Sequence, residues 1–285
     1  MKKRMLVSVA LGIGAFALSA GVAMAGSAPG TGIIDSVHDL SENSAVHAAA
    51  ILGVGTADTL SRVCIYCHAP HRTQKPSDFN YEDAYLPLWN RPVNANRTFT
   101  MYNNGSNPGS GKHMSQAQSD LMANNITRPG FVSLLCLSCH DGTVATNVYG
   151  SSEMSDATWV KNQGRVTGTG SIGAAAYDAA SQPAGNIVTE YKIGANNDLS
   201  NHHPVGFNYN VVWQDDDEIA NVQTQFGATG IKIADVLYNG NMECVTCHDV
   251  HNSTQNMGEK LLWTSNMDSA FCCTCHLKCD NKADH

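Results

Sequence analysis

Four copies of one five-residue pattern, Cys-x-x-Cys-His, constrain this chain more than any other feature. They fall at Cys64/Cys67/His68, Cys136/Cys139/His140, Cys244/Cys247/His248 and Cys272/Cys275/His276. Histidine is scarce, 12 in 285 residues, so finding one behind all four pairs by chance is on the order of one in 10⁵ to 10⁶. Zinc ribbons also use paired CxxC units, but they need no histidine behind each pair, and two pairs close one site. CxxCH is the attachment signature of a c-type haem: the cysteines form thioethers to its vinyl groups and the histidine ligates iron from one face. The expectation is four covalently attached haem c groups carried on eight cysteines. His68, His140, His248 and His276 are then the proximal iron ligands.

Eight histidines remain for the opposite faces: His38, His47, His71, His113, His202, His203, His251 and His285. Histidine on both faces leaves iron no open position, which favours electron transfer over substrate chemistry and gives a lower potential than a Met/His pair. Ten methionines keep Met ligation open, although Met more commonly fills irregular apolar gaps. Two motifs add a second histidine three residues on, CIYCHAPH at 64–71 and CVTCHDVH at 244–251. Residues three apart share a helical face, so His71 cannot reach behind the porphyrin that His68 serves, nor His251 behind that of His248. Each is expected on a neighbouring haem, which requires haems lying close together. The bland alternative is a solvated histidine stabilising a turn.

His203 is the next distal candidate, because Pro204 stiffens its backbone and Gly206 and Phe207 allow close approach; His202 beside it ranks second. His38 lies in a short apolar segment near the start of the mature chain. His47 reads as a helix histidine, either packing or ligand, while His113 and His285 read as solvated.

The ends and the charge bound the function. MKKR, an apolar run and Ala23/Ala25 form a secretory signal peptide over residues 1–25, with cleavage expected before Gly26. An uncleaved membrane anchor is the rival reading, since the run is just long enough to span a bilayer. Removing Lys2, Lys3 and Arg4 with the leader leaves 14 basic residues against 25 acidic, a balance of −11. Such a surface offers no field to collect phosphates, so nucleic acid is excluded as a partner. No stable membrane insertion is expected after cleavage, and the place of action is extracellular or at the cell surface, with the periplasm as alternative.

The motif starts are 72, 108 and 28 residues apart. Residues 26–285 are expected to form a single tetrahaem cytochrome c domain with a Cys-free, loop-rich insertion at about 141–243. Helices are expected around Ser44–Leu52, around Ser115–Asn124 and in the residues following each CxxCH. Strand character is expected in VKNQGRVTGTGSI, in NIVTEYKI and in NANRTFTMYNNGSNPGSG at 94–111. The fold class is thus mostly irregular, with short helices, short strands and low regular secondary structure, cored by haem rather than by a large conventional core. Asp215–Glu218, DDDE, reads as a calcium site or, more blandly, an exposed acidic loop. Cys273 and Cys279 stand outside the haem count and are either a disulfide or two free thiols.

Taken together, CIYCHAPH, LPLWNRP, LCLSCHDGTVA, HHPVGF and MECVTCHDVHN resemble the multihaem cytochromes secreted by metal-respiring bacteria such as Geobacter. The nearest pattern is that of the OmcE-type tetrahaem cytochromes, whose subunits stack into extracellular filaments. The resemblance spans nearly the whole mature chain in motif order. It implies bis-histidine haems, a loop-dominated fold and a continuous haem chain through head-to-tail subunits, a homopolymer serving extracellular electron transfer rather than an enzyme. Its redox partners would be extracellular electron acceptors. It also implies a distal set of His38, His71, His203 and His251, one of which ligates an iron of the next subunit; His38, near a chain end, is the expected crossing residue. The Cys273/Cys279 pair and the additional His47 depart from the pattern.

Overall fold

A computed structural model describes residues 30–39, 63–71, 87–91, 93, 96–102, 116–141 and 192–280. The leader, His47, His113, His285 and the expected strands at 160–172 lie outside those residues. Six short α-helices are found within them: α1 (Gln116–Ala123), α2 (Phe131–His140), α3 (Tyr209–Asp215), α4 (Ile233–Val236), α5 (Cys244–Cys247) and α6 (Cys272–Cys275). Extended segments meet only as isolated bridges among the described residues. Regular secondary structure is low, as the Gly, Asn and Ser content leads one to expect.

Helix α1 is the one expected around Ser115–Asn124. It buries Ala117 and Leu121, spaced by one turn, and leaves Met122 in solvent. It stops because Asn125 takes a left-handed φ of 50°. The Asn125 N–H then reaches Met122 O at 3.1 Å and the Ile126 N–H reaches Leu121 O at 2.8 Å. That pairing is a Schellman cap, which satisfies carbonyls the helix end would otherwise orphan. Asp120, buried on the same helix, accepts from the Asn208 N–H at 2.9 Å. Asn208 in turn caps α3, its side chain accepting from Asn210 N and Val211 N.

Two apolar clusters hold the described residues together. The larger gathers Ala117, Leu121, Phe207, Tyr209, Val212, Ala220, Phe226, Ile233, Val236, Met242 and Phe271. Eight of those eleven come from 207–242, inside the stretch expected to be a loop-rich insertion. The described part of that stretch therefore carries two helices and most of this core, an outcome its mixed composition concealed. The smaller cluster joins Trp89, Phe99, Phe131, Leu134, Leu135, Leu137 and Leu199. Cys67 packs on the smaller cluster, and Cys247 and Cys275 pack on the larger. Both cores thus end at CxxCH cysteines.

Helical turns were expected after each CxxCH, and the structure places them differently. In α5 and α6 the turn is the CxxC itself, and His248 and His276 leave it in extended conformation (φ −114°, ψ 125° and φ −102°, ψ 109°). A 3₁₀ turn, Leu277–Asp280, does follow the fourth motif. The second motif instead ends a ten-residue helix, α2, whose last residue is His140. An extended exit turns the histidine side chain out of the helical turn that holds its cysteines.

Candidate haem-binding sites

Three of the four motifs share one local architecture that sequence reading missed. At the first, the Ala69 N–H donates to Leu88 O at 3.0 Å and the Asn90 N–H donates to Cys67 O at 2.8 Å. His68 and Trp89 form the bridge between those bonds. At the third, Asp249 N–H to Leu261 O (2.8 Å) and Trp263 N–H to Cys247 O (3.3 Å) flank a His248–Leu262 bridge. At the fourth, Leu277 N–H to Glu218 O and Ala220 N–H to Cys275 O, both 2.8 Å, flank a His276–Ile219 bridge. A three-residue backbone strap thus lies against each motif: Leu88–Asn90, Leu261–Trp263 and Glu218–Ala220. The first two straps begin with leucines in left-handed conformation, φ 54° at Leu88 and 60° at Leu261, a region bulky residues rarely occupy. The sequence signal was present in LPLWN and KLLW, two short look-alikes that begin 18 and 12 residues beyond their histidines, too brief to be read as a repeat.

Backbone carbonyls orient three imidazoles, two of them from the residue just ahead of a strap. His68 Nδ1 donates to Pro87 O at 2.5 Å, and His248 Nδ1 donates to Lys260 O at 2.9 Å. His203 Nδ1 donates to Pro204 O at 3.0 Å. A carbonyl only accepts, so each ring carries its proton on Nδ1 and presents an unprotonated Nε2, the arrangement a metal-ligating histidine takes. Trp89 stands edge-on to His68 with ring centroids 5.9 Å apart, further limiting rotation of that ring.

Three of the CxxCH histidines face a second imidazole. His68 stacks against His251 with centroids 6.0 Å apart, His140 meets His38 at 6.1 Å, and His276 meets His203 at 6.2 Å. Two iron–nitrogen bonds of about 2 Å, plus about 1 Å from each ring nitrogen to its centroid, put two imidazoles about 6 Å apart across one iron. Among the described residues no second imidazole faces His248 in this way. His71 is described, lies exposed, and is not brought against any of the four. His202 serves the backbone, accepting from the Gly194 N–H at 3.4 Å. The flexibility expected of Gly206 is used elsewhere: with φ 86°, it lets the chain pass Pro129, whose Cα would lie 3.0 Å from an added Cβ. Phe207 is in the larger core.

Burial sets the charge state of these groups. Desolvation, followed by the nearby His140, His248 and His251, pulls His38 down to about 4. Desolvation likewise lowers His203 and His248. Neutral imidazoles are the form that binds metal. Burial holds three of the thiols protonated, with Cys67 and Cys247 pushed up to about 12 and Cys275 to about 11, whereas the hydrogen bond from Cys136 lowers Cys244. The causes also show which motifs adjoin: Cys67 feels Cys139, Cys136 hydrogen-bonds Cys244, and Cys247 feels Cys275. The cysteine pairs therefore follow one another in space in chain order.

One buried carboxylate locks the second motif to the third. Glu243, 1% exposed, accepts from the Gly130 N–H at 2.9 Å and from the Ser133 hydroxyl at the N-terminus of α2. Ser133 Oγ accepts in turn from the Cys244 N–H at 3.0 Å. Desolvation pushes Glu243 up to about 7, against the lowering effect of those two donors. The carboxylate sits where a helix N-terminus favours negative charge and holds Cys136 and Cys244 in contact.

Groups of three or more His, Cys, Asp or Glu side chains that could hold a bare metal ion are absent among the described residues. Pairs of histidines suit haem, which brings four nitrogens of its own and asks the protein for two axial ligands. The side chains present fit that group: three imidazole pairs at the required spacing, three tautomers set by carbonyls, and thiols packed against the apolar clusters. Asp215–Glu218 reads in the structure as the exposed acidic loop, and no cation-holding group is found there; Glu218 pairs with Lys278 at 2.5 Å on the surface. Cys273 and Cys279 are joined in a disulfide, and the other eight cysteines are free. No protein-family model matches the chain, and no curated protein does.

Proposed function

We propose that the chain is an exported tetrahaem c-type cytochrome that passes electrons along closely spaced bis-histidine haems, and that copies join head to tail as a filament for extracellular electron transfer. The observation that carries the reading is the set of three imidazole pairs at 6.0, 6.1 and 6.2 Å, each uniting a CxxCH histidine with one from elsewhere in the chain. Haem supplies one-electron exchange between ferrous and ferric iron. The protein would supply the rest: eight thiols to anchor, eight histidines to ligate, and the Pro87 and Lys260 carbonyls, just ahead of two straps, to hold the Nδ1 protons of His68 and His248. With both axial positions filled, no substrate has a place to bind, so the reading is of a carrier rather than an enzyme.

The second histidine of the third motif serves a different motif in this reading: His251, three residues after His248, faces His68. His38 lies 6.1 Å from His140 of its own chain, and on that ground this reading assigns the crossing to His71 instead of His38. This reading gives an iron at His248 its second ligand from His71 of the next copy, His71 being exposed and His248 having no facing imidazole among the described residues. A contact of this heterologous kind does not close on itself and propagates a filament.

Negative-stain microscopy of the secreted protein tests both parts. Filaments are expected from the native chain. His71→Ala should give separate particles that keep four haems, whereas His38→Ala should leave filaments and free one iron for carbon monoxide. Single particles from the native chain under every condition would favour a monomeric periplasmic carrier. Filaments persisting in His71→Ala, but lost in His47→Ala, would transfer the crossing role to His47.

A further inference from the structure

The fourth motif contains three cysteines where haem attachment uses two: Cys272, Cys273, Thr274, Cys275 and His276. Two thiol pairs could compete for one pair of vinyl groups, Cys272/Cys275 with the ordinary spacing and Cys273/Cys275 with one residue fewer. Among the described motifs only this one poses the problem, and only this one has a disulfide beside it. Cys272–Cys275 forms one helical turn, α6. At about 100° per residue, Cys272 and Cys275 lie within about 60° of each other on one face, while Cys273 points to the other side. There it meets Cys279, on the 3₁₀ turn Leu277–Asp280, with Cα atoms 5.3 Å apart.

We infer that the Cys273–Cys279 disulfide is an attachment-register lock: it removes Cys273 from competition, so that haem joins the fourth motif through Cys272 and Cys275 alone. This rests on the haem reading above. The bridge closes over a sequence separation of six, short enough to form locally before distant parts of the chain pack, which is when attachment has to be directed. Its formation balances by thiol–disulfide exchange: the Cys273 and Cys279 thiols lose two protons and two electrons. These pass to an oxidised protein disulfide of the exporting compartment, which leaves as a dithiol. Attachment itself exchanges no electrons. The Cys272 and Cys275 thiols each add across a vinyl group, with one carbon–sulfur bond formed and the thiol hydrogen delivered to the neighbouring carbon.

The lock also places His276. The disulfide brackets it within residues 273–279, while the strap at Glu218–Ala220 holds the same segment from the other side. A purely structural staple would act on this placement and not on which sulfur carries haem, and the two roles separate by experiment.

Full-length protein is expressed in a host with c-type haem attachment machinery, and its haem peptides are sequenced by mass spectrometry. The native chain should show haem on Cys272 and Cys275 only, with Cys273 disulfide-bonded. Cys279→Ser frees Cys273 and should give a second, Cys273-linked haem peptide or a loss of haem at the fourth motif. The double variant Cys273→Ser/Cys279→Ser removes the competitor together with the bridge and should restore the single native attachment pattern. A native pattern in Cys279→Ser overturns the inference. So does a double variant as defective as the single one, which would leave the bridge a structural staple only. A native chain lacking haem at all four motifs overturns the cytochrome reading and this inference with it; haem at the other three motifs in every variant keeps that reading intact while this one is judged.

Discussion

Replacing Glu243 with alanine is the perturbation whose size follows most directly from the structure. Its carboxylate receives the Gly130 N–H at 2.9 Å and the Ser133 hydroxyl, and Ser133 relays the link to the Cys244 N–H at 3.0 Å. Truncation leaves the buried Ser133 hydroxyl and the half-buried Gly130 N–H without their acceptor, at about 1–3 kcal/mol each. The expected loss is about 2–6 kcal/mol, a large share of the stability of an ordinary domain. Glu243→Gln keeps one oxygen acceptor and should lose about 1 kcal/mol. The pH dependence adds a sharper test. Glu243 is raised from 4.5 to about 7 in the fold, so the folded state holds its proton more tightly than the unfolded state. Its contribution is complete below about pH 4.5 and is lost as pH rises through 7, a swing of about 3 kcal/mol at 1.36 kcal/mol per unit. Glutamine has no such proton. Between pH 4.5 and 8 the stability difference should therefore move by about 3 kcal/mol in favour of Glu243→Gln. Guanidinium unfolding of the holoprotein, followed by far-ultraviolet circular dichroism, measures both quantities. Equal midpoints for Glu243→Ala and the native chain, or a difference that does not change with pH, would refute this account of the clamp.

Three smaller tests accompany it. His251→Ala should leave four haems attached but convert one iron in four to a high-spin, carbon-monoxide-binding form, read from the shifted Soret band of the reduced protein. Asn125→Val should destabilise by about 1–2 kcal/mol, because a β-branched residue resists the left-handed φ of 50° that caps α1, while Asn125→Gly should be neutral in the same melt. Gly206→Ala should cost more than about 1 kcal/mol, since its φ of 86° and the 3.0 Å approach to Pro129 both oppose a methyl group.

What the sequence disclosed was chemistry with a fixed spacing. CxxCH is a covalent signature, so the residues that would hold haem could be named without any fold. The three-residue step singled out His251, although the helical turn assumed for it is absent because His248 is extended, and the structure sets His251 against His68. Helix α1 was readable for a similar reason, because its apolar residues recur on one turn. What stayed hidden depends on backbone bonds with no side-chain signature. The straps Leu88–Asn90 and Glu218–Ala220 do the same work with unrelated residues, since N–H and C=O groups make the contact. Residues 207–242 fell within the expected loop-rich insertion, yet they build most of the larger core, because their apolar side chains converge from short turns rather than from long elements. Glu243 looked like one acid among many, and only its partners 110 and 113 residues away reveal what it does.

The account stands on histidine at both faces of each of four irons. A pyridine haemochrome assay against protein concentration, with electron paramagnetic resonance of the oxidised protein, measures this directly. The account predicts four haems per chain, and four low-spin bis-imidazole ferric signals in the assembled protein. Fewer than four haems, or a signal from high-spin or Met/His iron in the assembled native protein, would contradict it.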